Sequence, residues 1–480
     1  MLRGVPFGRS LVSRYHSLTK LPTINQLFSN INNNSLRNND IVPELNCYIQ
    51  SIKTLKNVTF LDLFDGTSSQ PLKVVINNRA SGAMEVPLDE LQMGQAVNLT
   101  NWRITETPNR LQTFELTQNT DSKLTIMGKV EENYPLQSKQ KVTVQYLRSI
   151  PLLKYKTNYF SALIRFRSLL QSKLINILTG QDFVMCNPPI LTANDTEGNN
   201  ETFKTIPKNL NLTVSTQLHL EILAQSMKNV FTISPCFRAE MSDTGRHLAE
   251  FWMLELESTN LSDLKDLQDC VRLLMMNAAE SLLNDKNIDN FLPNDNYLPM
   301  NTLNKEQIKE RWQHMANPES WKQITYTEAV DILQKNYPNP PIWGESLASD
   351  HEKFLAESYF NNGLGAFVLI SQYPTSIKPF YMKHSKDNDK TVDCFDMIFP
   401  GGMGEVAGGS VREVNIDTLN KAIGENATDL DWYVELRKLG SLPRGGYGIG
   451  MERLIAYMFG LQNVKDAIPF FRVMKDKISF

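Results

Sequence analysis

Three stretches of the chain concentrate side chains that could do chemistry. Residues 230–258 read VFTISPCFRAEMSDTGRHLAEFWMLELES, two strand-like runs around a polar loop. Strand side chains alternate faces, so Arg238 and Glu240 share one face. On the return run Phe251, Met253, Glu255 and Glu257 share a face opposite Trp252, Leu254 and Leu256. Charges on one face of a strand pair must meet water or a ligand, because burying them unpaired is costly; the alternation alone fits a solvated face equally. Residues 396–413, DMIFPGGMGEVAGGSVRE, set Asp396 and Glu405 around a Pro-Gly-Gly turn, followed by Gly408, Gly409 and Arg412. Paired carboxylates suit a hard cation such as Mg2+ bound together with a nucleotide phosphate, and glycines let backbone approach a ligand closely. Residues 443–453, PRGGYGIGMER, read as a Gly-rich turn running into a helix, a phosphate signal of low specificity. The GxxxxGK[ST] loop of the P-loop enzymes does not occur in the sequence.

These groups need a scaffold. A chain of 480 residues accommodates two or three domains. With 41% hydrophobic and 21% charged residues it has a globular rather than a disordered composition. A formal charge of −3 excludes a globally basic nucleic-acid binder, so any RNA contact must come from a local patch. No apolar run approaches the roughly 18 residues needed to span a bilayer, and no membrane partner is expected. Five cysteines without a CxxC pair exclude a zinc ribbon legible in the sequence and argue against a disulfide framework.

Composition then divides the chain. No acid precedes Asp40, while Arg3, Arg9, Arg14, Lys20 and Arg37 alternate with Ser and Leu. That is the composition of a mitochondrial transit peptide, with a basic RNA-touching arm as the alternative. Residues 30–39 are Asn-rich and read as linker, so residues 1–39 form leader and linker and the fold is expected to begin near Ile41. Residues 41–132 carry short alternating strands with turn punctuation, which suits an OB-fold barrel. From Asn133 to Gln181 there is no Asp or Glu among many Lys and Arg. Residues 133–156 therefore read as a basic hinge that either attracts phosphates or forms a solvated face. In residues 157–480, Phe160, Leu163, Phe166, Leu170, Leu174 and Ile177 recur at helical spacing, and Ser262 is placed to cap a second helix. Mixed strands and helices without regular βαβ alternation imply an α+β domain on an antiparallel sheet.

The order of the motifs adds a resemblance. FRAE…RHLAEF, then an acid-Gly-Gly strand, then GxGxER resembles motifs 2 and 3 of the class II aminoacyl-tRNA synthetases. Asn187-Pro188-Pro189-Ile190, after the long helix, looks like motif 1, with Pro189 as its proline. The longer runs NVFTISPCFRAEMSDTGRHLAEFWMLELE, VSTQLHLE, GEVAGGSVRE and GIGMERLIAYMFGLQNVKDAIPFFR are similar to the asparaginyl-tRNA synthetases, and the resemblance covers residues 41–480. It implies an N-terminal OB-fold that reads the anticodon and ATP- and Mg2+-dependent ligation of asparagine to tRNA(Asn). The route runs through an asparaginyl-adenylate and releases AMP and diphosphate. With the leader it implies the mitochondrial matrix, and with motif 1 a homodimer.

Roles follow residue by residue from the same resemblance. The first step joins a carboxylate to the α-phosphate with little proton transfer, so positioning and charge stabilisation must carry it. The resemblance implies that Arg238 holds the α-phosphate and the substrate carboxylate, and that Phe251 stacks on adenine with Arg453 on its other side. It implies that Glu240 accepts from the adenine amine, that His247 reaches the γ-phosphate, and that Glu405 and Asp396 hold Mg2+. Glu197, Ser215 and Gln217 are implied for the substrate ammonium and Arg412 for the side-chain carbonyl. Glu255 is implied as the acceptor of the amide, an acid that would repel aspartate. In the barrel Phe60 matches an anticodon-stacking phenylalanine, and Lys73 stands where a glutamine reading the central uridine is expected. Two departures stand out. Gly401-Gly402 adds a residue to the acid-Gly-Gly loop, and Glu405 and Arg412 have opposite strand parity, which requires a bulge, expected at Gly408-Gly409. Other readings are an aspartyl-tRNA synthetase, discriminating or not, an inactive RNA-binding paralogue, and an asparagine synthetase on the same core, which would lack the barrel.

Overall fold

A computed structural model describes residues 21–79, 87–110, 112–137, 141–193, 196, 202–205, 210–242, 244–361, 363–424 and 430–475. The chain divides into two compact units between Lys141 and Val142.

The first unit is the expected barrel. Its strands are β1 (Ile41–Thr54), β2 (Val58–Phe64), β3 (Leu72–Asn77), β4 (Ala96–Glu106), β5 (Phe114–Thr117) and β6 (Lys123–Gly128). They run β1-β2-β3-β5-β4, and β4 pairs back onto β1 to close the ring, with β6 added beside β4. The long β1 serves two partners: residues up to Tyr48 pair with β4 and those from Tyr48 onward with β2. A bulge between Ile49 and Ser51 lies in the second of these pairings, and a bulge bends its strand. Leu61, Leu63, Val74, Ile76, Leu99 and Trp102 fill the interior.

Packing of this unit begins before Ile41. The helix Ile24–Asn32 opens on a capping box in which Thr23 and Gln26 bond reciprocally. Ile24, Leu27, Phe28 and Ile31 recur at helical spacing and pack into the barrel core. The Asn-rich composition that reads as linker conceals this amphipathic segment.

The second unit is built on β7 (Val184–Met185), β8 (Leu191–Thr192), β9 (Asn211–Leu212), β10 (Asn229–Phe237), β11 (Glu250–Ser258), β12 (Trp321–Thr325), β13 (Phe367–Ser371), β14 (Cys394–Phe399), β15 (Gly404–Val411) and β16 (Gly445–Gly450). Among the described residues, one sheet has the order β12-β13-β14-β15-β16-β11-β10-β7, and β8 and β9 pair separately. The sheet is antiparallel from β13 to β10, as expected, but parallel at both margins, β12–β13 and β10–β7. Two sequence readings need correction here. The Gly-rich residues before the last helix are not a turn but β16, a central strand between β15 and β11. The second long helix, Leu264–Leu283, is capped by Asp263 rather than Ser262, because the Asp263 side chain accepts from the Lys265 amide.

Four of the cations in the acid-free stretch after residue 133 are engaged within the second unit. Arg148 makes two bonds to Asp466, at 2.8 and 2.6 Å. Lys154 is buried, its ammonium 4.9 and 5.0 Å from the Tyr155 and Phe160 rings. Arg167 bonds Glu452 at 2.8 Å and Lys173 bonds Asp285 at 2.7 Å. The acids that pair with Arg148, Arg167 and Lys173 come from remote parts of the sequence.

Candidate active site

The expected site residues of the second unit meet in one cleft of about 740 Å³ over the middle of the large sheet. It is lined by Ser215, Gln217, Arg238, Glu240, His247, Phe251, Glu255, Asp396, Glu405, Arg412 and Arg453. Glu197 lies outside the described residues.

The hairpin of β10 and β11 supplies the first half of the cleft. Cys236 pairs with Phe251, and the Arg238 amide donates to the Ala249 carbonyl at 3.0 Å, extending the ladder past the strand end. Arg238 thereby comes to lie with its guanidinium carbon 5.3 Å from the centroid of the Phe251 ring. The polar face of the hairpin is not solvated: Glu255 and Glu257 are buried. Glu255 accepts from the Ser215 hydroxyl at 2.5 Å, from the Thr216 hydroxyl at 2.5 Å and from the Thr216 amide at 2.9 Å. The neighbouring strand β16 has glycine where it faces these side chains. A Cβ on Gly446 would stand 2.0 Å from a Glu257 carboxylate oxygen, and one on Gly448 2.4 Å from the Met253 methyl. The glycines of β16 thus make room for side chains of β11, a different service from cradling phosphate.

The loop between the two strands carries His247. Its Nδ1 is 2.6 Å from the Thr244 hydroxyl and its Nε2 is 3.8 Å from Glu240. Burial, then Arg453, holds the imidazole below its ordinary pKa. Arg453, from the helix Met451–Phe459, bonds the backbone carbonyl of Glu405 and that of Arg246, the latter at 3.3 Å. The cation measured against the Phe251 ring is Arg238.

The two acids of the third stretch face each other. Met397 pairs with Ala407 but Ile398 with Glu405, so Val406 is the extra residue of a bulge. The bulge that parity demands exists, two residues earlier than Gly408-Gly409. It brings Glu405 onto the face of Asp396, Gly408 and Ser410. The Cβ that Gly408 lacks would stand 3.1 Å from Glu405 Oε1 and 3.5 Å from Asp396 Oδ1, so both carboxylates close on one point. Burial and then Asp396 push the Glu405 carboxyl above its ordinary pKa, as expected of an acid beside a like charge. Asp396 is held by the Lys378 ammonium at 2.7 and 2.8 Å. The two carboxylates converge as a pair that could serve a divalent cation, with both Asp396 oxygens engaged by Lys378. Among the described residues no cluster of three His, Cys, Asp or Glu side chains has metal-holding geometry.

Arg412 closes the far end of the cleft. It bonds Glu257 at 2.7 Å and the Ser410 hydroxyl at 2.8 Å, with its guanidinium carbon 5.4 Å from the Tyr381 ring. Burial raises the pKa of Glu257, against the pull of Arg412. Behind the cleft wall, fully buried Glu221 bonds Gln217, Tyr433, Arg437 and Arg444.

Sequence reasoning gave no role to Arg246, Lys378, Glu257, Glu221 or Glu352. Glu257 had a signal, since it shares a strand face with Glu255. Arg246 sits next to His247 in the hairpin loop, and Lys378, Glu221 and Glu352 are brought in by pairings remote in sequence. Glu352, from the helix Ser349–Phe354, flanks Gly404 together with Arg246. Burial and the adjacent Glu405 and Asp396 push its carboxyl up to about 7.

In the barrel, Phe60 pairs with Val75 and Asp62 with Lys73, which puts Phe60 and Lys73 on one outer face. Lys73 bonds Asp62 at 2.7 Å, and Ser51 donates to the same carboxylate at 2.7 Å.

Comparison with known proteins adds an independent line. The family described as class II tRNA synthetases (D, K and N) matches residues 145–474. The mitochondrial asparagine--tRNA ligase of Saccharomyces cerevisiae is 44% identical over 467 residues, covering 91% of this chain and 93% of that protein. The mitochondrial asparagine--tRNA ligase of Schizosaccharomyces pombe is 36% identical, covering 89% and 92%. The crystal structure of asparaginyl-tRNA synthetase from Pyrococcus horikoshii complexed with asparaginyl-adenylate is similar with a TM-score of 0.77 at 27% identity, covering 91% and 95%.

Proposed function

The chain belongs to the class II tRNA synthetases of the D, K and N group, and from that premise we propose that it is an ATP-dependent aminoacyl-tRNA ligase joining asparagine to tRNA(Asn). The observation that carries this reading is the meeting of Arg238, Phe251 and Glu255 in one cleft, in a chain whose relatives are asparagine--tRNA ligases. Charging of tRNA(Asn) transcript with labelled asparagine tests it; charging with aspartate alone would favour the aspartyl reading.

In the first step a carboxylate oxygen of asparagine bonds to the α-phosphorus as the bond to the bridging oxygen breaks and diphosphate leaves. Arg238 is the group to hold both reacting partners, because a planar, permanently charged fork can bond two oxygens at once. Phe251 offers its ring to one side of adenine and Arg453 its guanidinium plane to the other, Glu240 accepts from the exocyclic amine, and His247 reaches the γ-phosphate. Asp396 and Glu405 would hold Mg2+, which supplies positive charge against the phosphates when bound. In the second step the ribose hydroxyl at the tRNA 3′ end attacks the acyl carbon and AMP departs. Little acid–base chemistry is needed, and preorganised charge does most of the work.

Recognition of the amino acid falls to the other end. Ser215 and Gln217, with Glu197, are the acceptors for the ammonium. Arg412 donates to the side-chain oxygen, and Glu255, fixed as an acceptor by Ser215 and Thr216, takes the amide N–H. On the barrel, Phe60 and Lys73 offer an aromatic and a cation to the anticodon. Val184, Met185, Ile190 and Leu191 expose apolar surface beside Pro189, which supports a homodimer formed there. The acid-free first thirty-nine residues and the mitochondrial relatives support import into the matrix.

A further inference from the structure

Glu221 touches no part of the cleft surface, yet it contacts two residues that do. Its Oε1 accepts from the Gln217 side-chain amide at 3.1 Å and lies 3.8 Å from Arg412 Nε. Its Oε2 accepts from Arg444 at 2.7 and 3.0 Å and from Arg437 at 3.0 Å, and Tyr433 donates to both oxygens at 2.8 Å. Arg444 also lies 3.9 Å from Glu257, which bonds Arg412. Arg412, Arg437 and Arg444 thus face Glu221 and Glu257 in one buried cluster behind the end of the cleft that Arg412 closes. Glu221 and Glu257 offset these cations, so the wall meeting the substrate side chain attracts an anion less than Arg412 alone would. A buried charge a few ångströms from a binding group acts on a ligand nearly as a contact would, because little solvent intervenes to screen it.

We propose that Glu221 is a specificity-determining positioning residue: by offsetting Arg412 from behind, it lets the cleft accept the neutral side chain of asparagine and reject aspartate. The inference rests on the reading of the cleft as an asparagine site. Removing this one carboxylate leaves the three guanidinium groups facing Glu257 alone, an added positive charge that a substrate carboxylate would offset.

The test is amino-acid-dependent pyrophosphate exchange by the full chain, with kcat and KM measured for asparagine and for aspartate. E221Q keeps size and shape, and should lower the asparagine-to-aspartate ratio of kcat/KM by about ten- to hundred-fold, mainly through a lower KM for aspartate. R437Q alone removes a cation that does not line the cleft and should move the ratio the other way. The double variant E221Q/R437Q restores the cluster's original charge and should return the ratio towards that of the parent, although it removes more of the packing. Ratios unchanged in E221Q and R437Q, or a double variant further displaced than E221Q, would overturn the proposal. Should E221Q not fold, the shift in R437Q decides alone. A parent enzyme that exchanges only with aspartate would instead overturn the functional reading.

Discussion

The Arg238 guanidinium sits 5.3 Å from the centre of the Phe251 ring, a contact made across the mouth of a hairpin by residues thirteen positions apart. The same hairpin continues to Glu255 and Glu257, so one strand pair delivers a cation, an aromatic ring and two buried acids to one cleft. Its regularity makes the proposed chemistry testable one side chain at a time.

Arg238→Ala should reduce asparagine-dependent pyrophosphate exchange by at least about 10²- to 10³-fold, the usual cost of a lost charge-stabilising donor. Affinity for tRNA, measured by filter binding, should stay within about twofold, since the change lies in the cleft and not on the barrel. Undiminished exchange would remove Arg238 from the site.

Glu405 and Asp396 close on one point, so a chelator should abolish exchange and added Mg2+ should restore it. In Glu405→Gln the Mg2+ concentration for half-restoration should rise by about tenfold or more, the usual order for loss of a carboxylate ligand to a weakly held cation. Restoration curves that coincide would exclude Glu405 as a ligand.

Much of this site is legible in the sequence because strands have a period of two. That period puts Phe251 and Glu255 on one face without knowledge of any partner strand. It cannot locate the bulge at Val406, which exists only in the pairing of β14 with β15. The glycines of β16 mislead for a related reason. Glycine is depleted in strands, and here it is required by Met253 and Glu257 projecting from the neighbour. Nothing local announces that Glu221 will meet Arg412, Arg437 and Arg444, or that the acid-free stretch will meet Asp466, Glu452 and Asp285. The helix Ile24–Asn32 is hidden because the basic and Asn-rich composition around it masks the spacing of its four apolar residues.

Phe60 lies on the outer face of the barrel beside Lys73. Phe60→Ala should raise the KM for tRNA by about tenfold, as expected for losing one base-stacking ring, and leave pyrophosphate exchange unchanged because that step needs no tRNA. An unaltered KM would move the anticodon elsewhere on the barrel.

Glu221 also carries a pH signature. Burial raises its carboxyl, but Arg444, Arg437 and Arg412 outweigh it and bring the folded value down to about 2 from an ordinary 4.5. A depressed pKa contributes stability that is full above about 4.5 and is lost as the pH falls towards 2, on the order of 3 kcal/mol in all. Urea unfolding should therefore show wild type ahead of Glu221→Gln at pH 7, with the gap narrowing from pH 5 to pH 3. A gap independent of pH would mean that packing, not charge, makes the difference.

The most direct measurement is pyrophosphate exchange by the chain freed of its first twenty residues, with each of the twenty amino acids in turn. The account predicts exchange with asparagine, dependent on ATP and Mg2+, and at most a trace with aspartate. Exchange with aspartate and none with asparagine would contradict it.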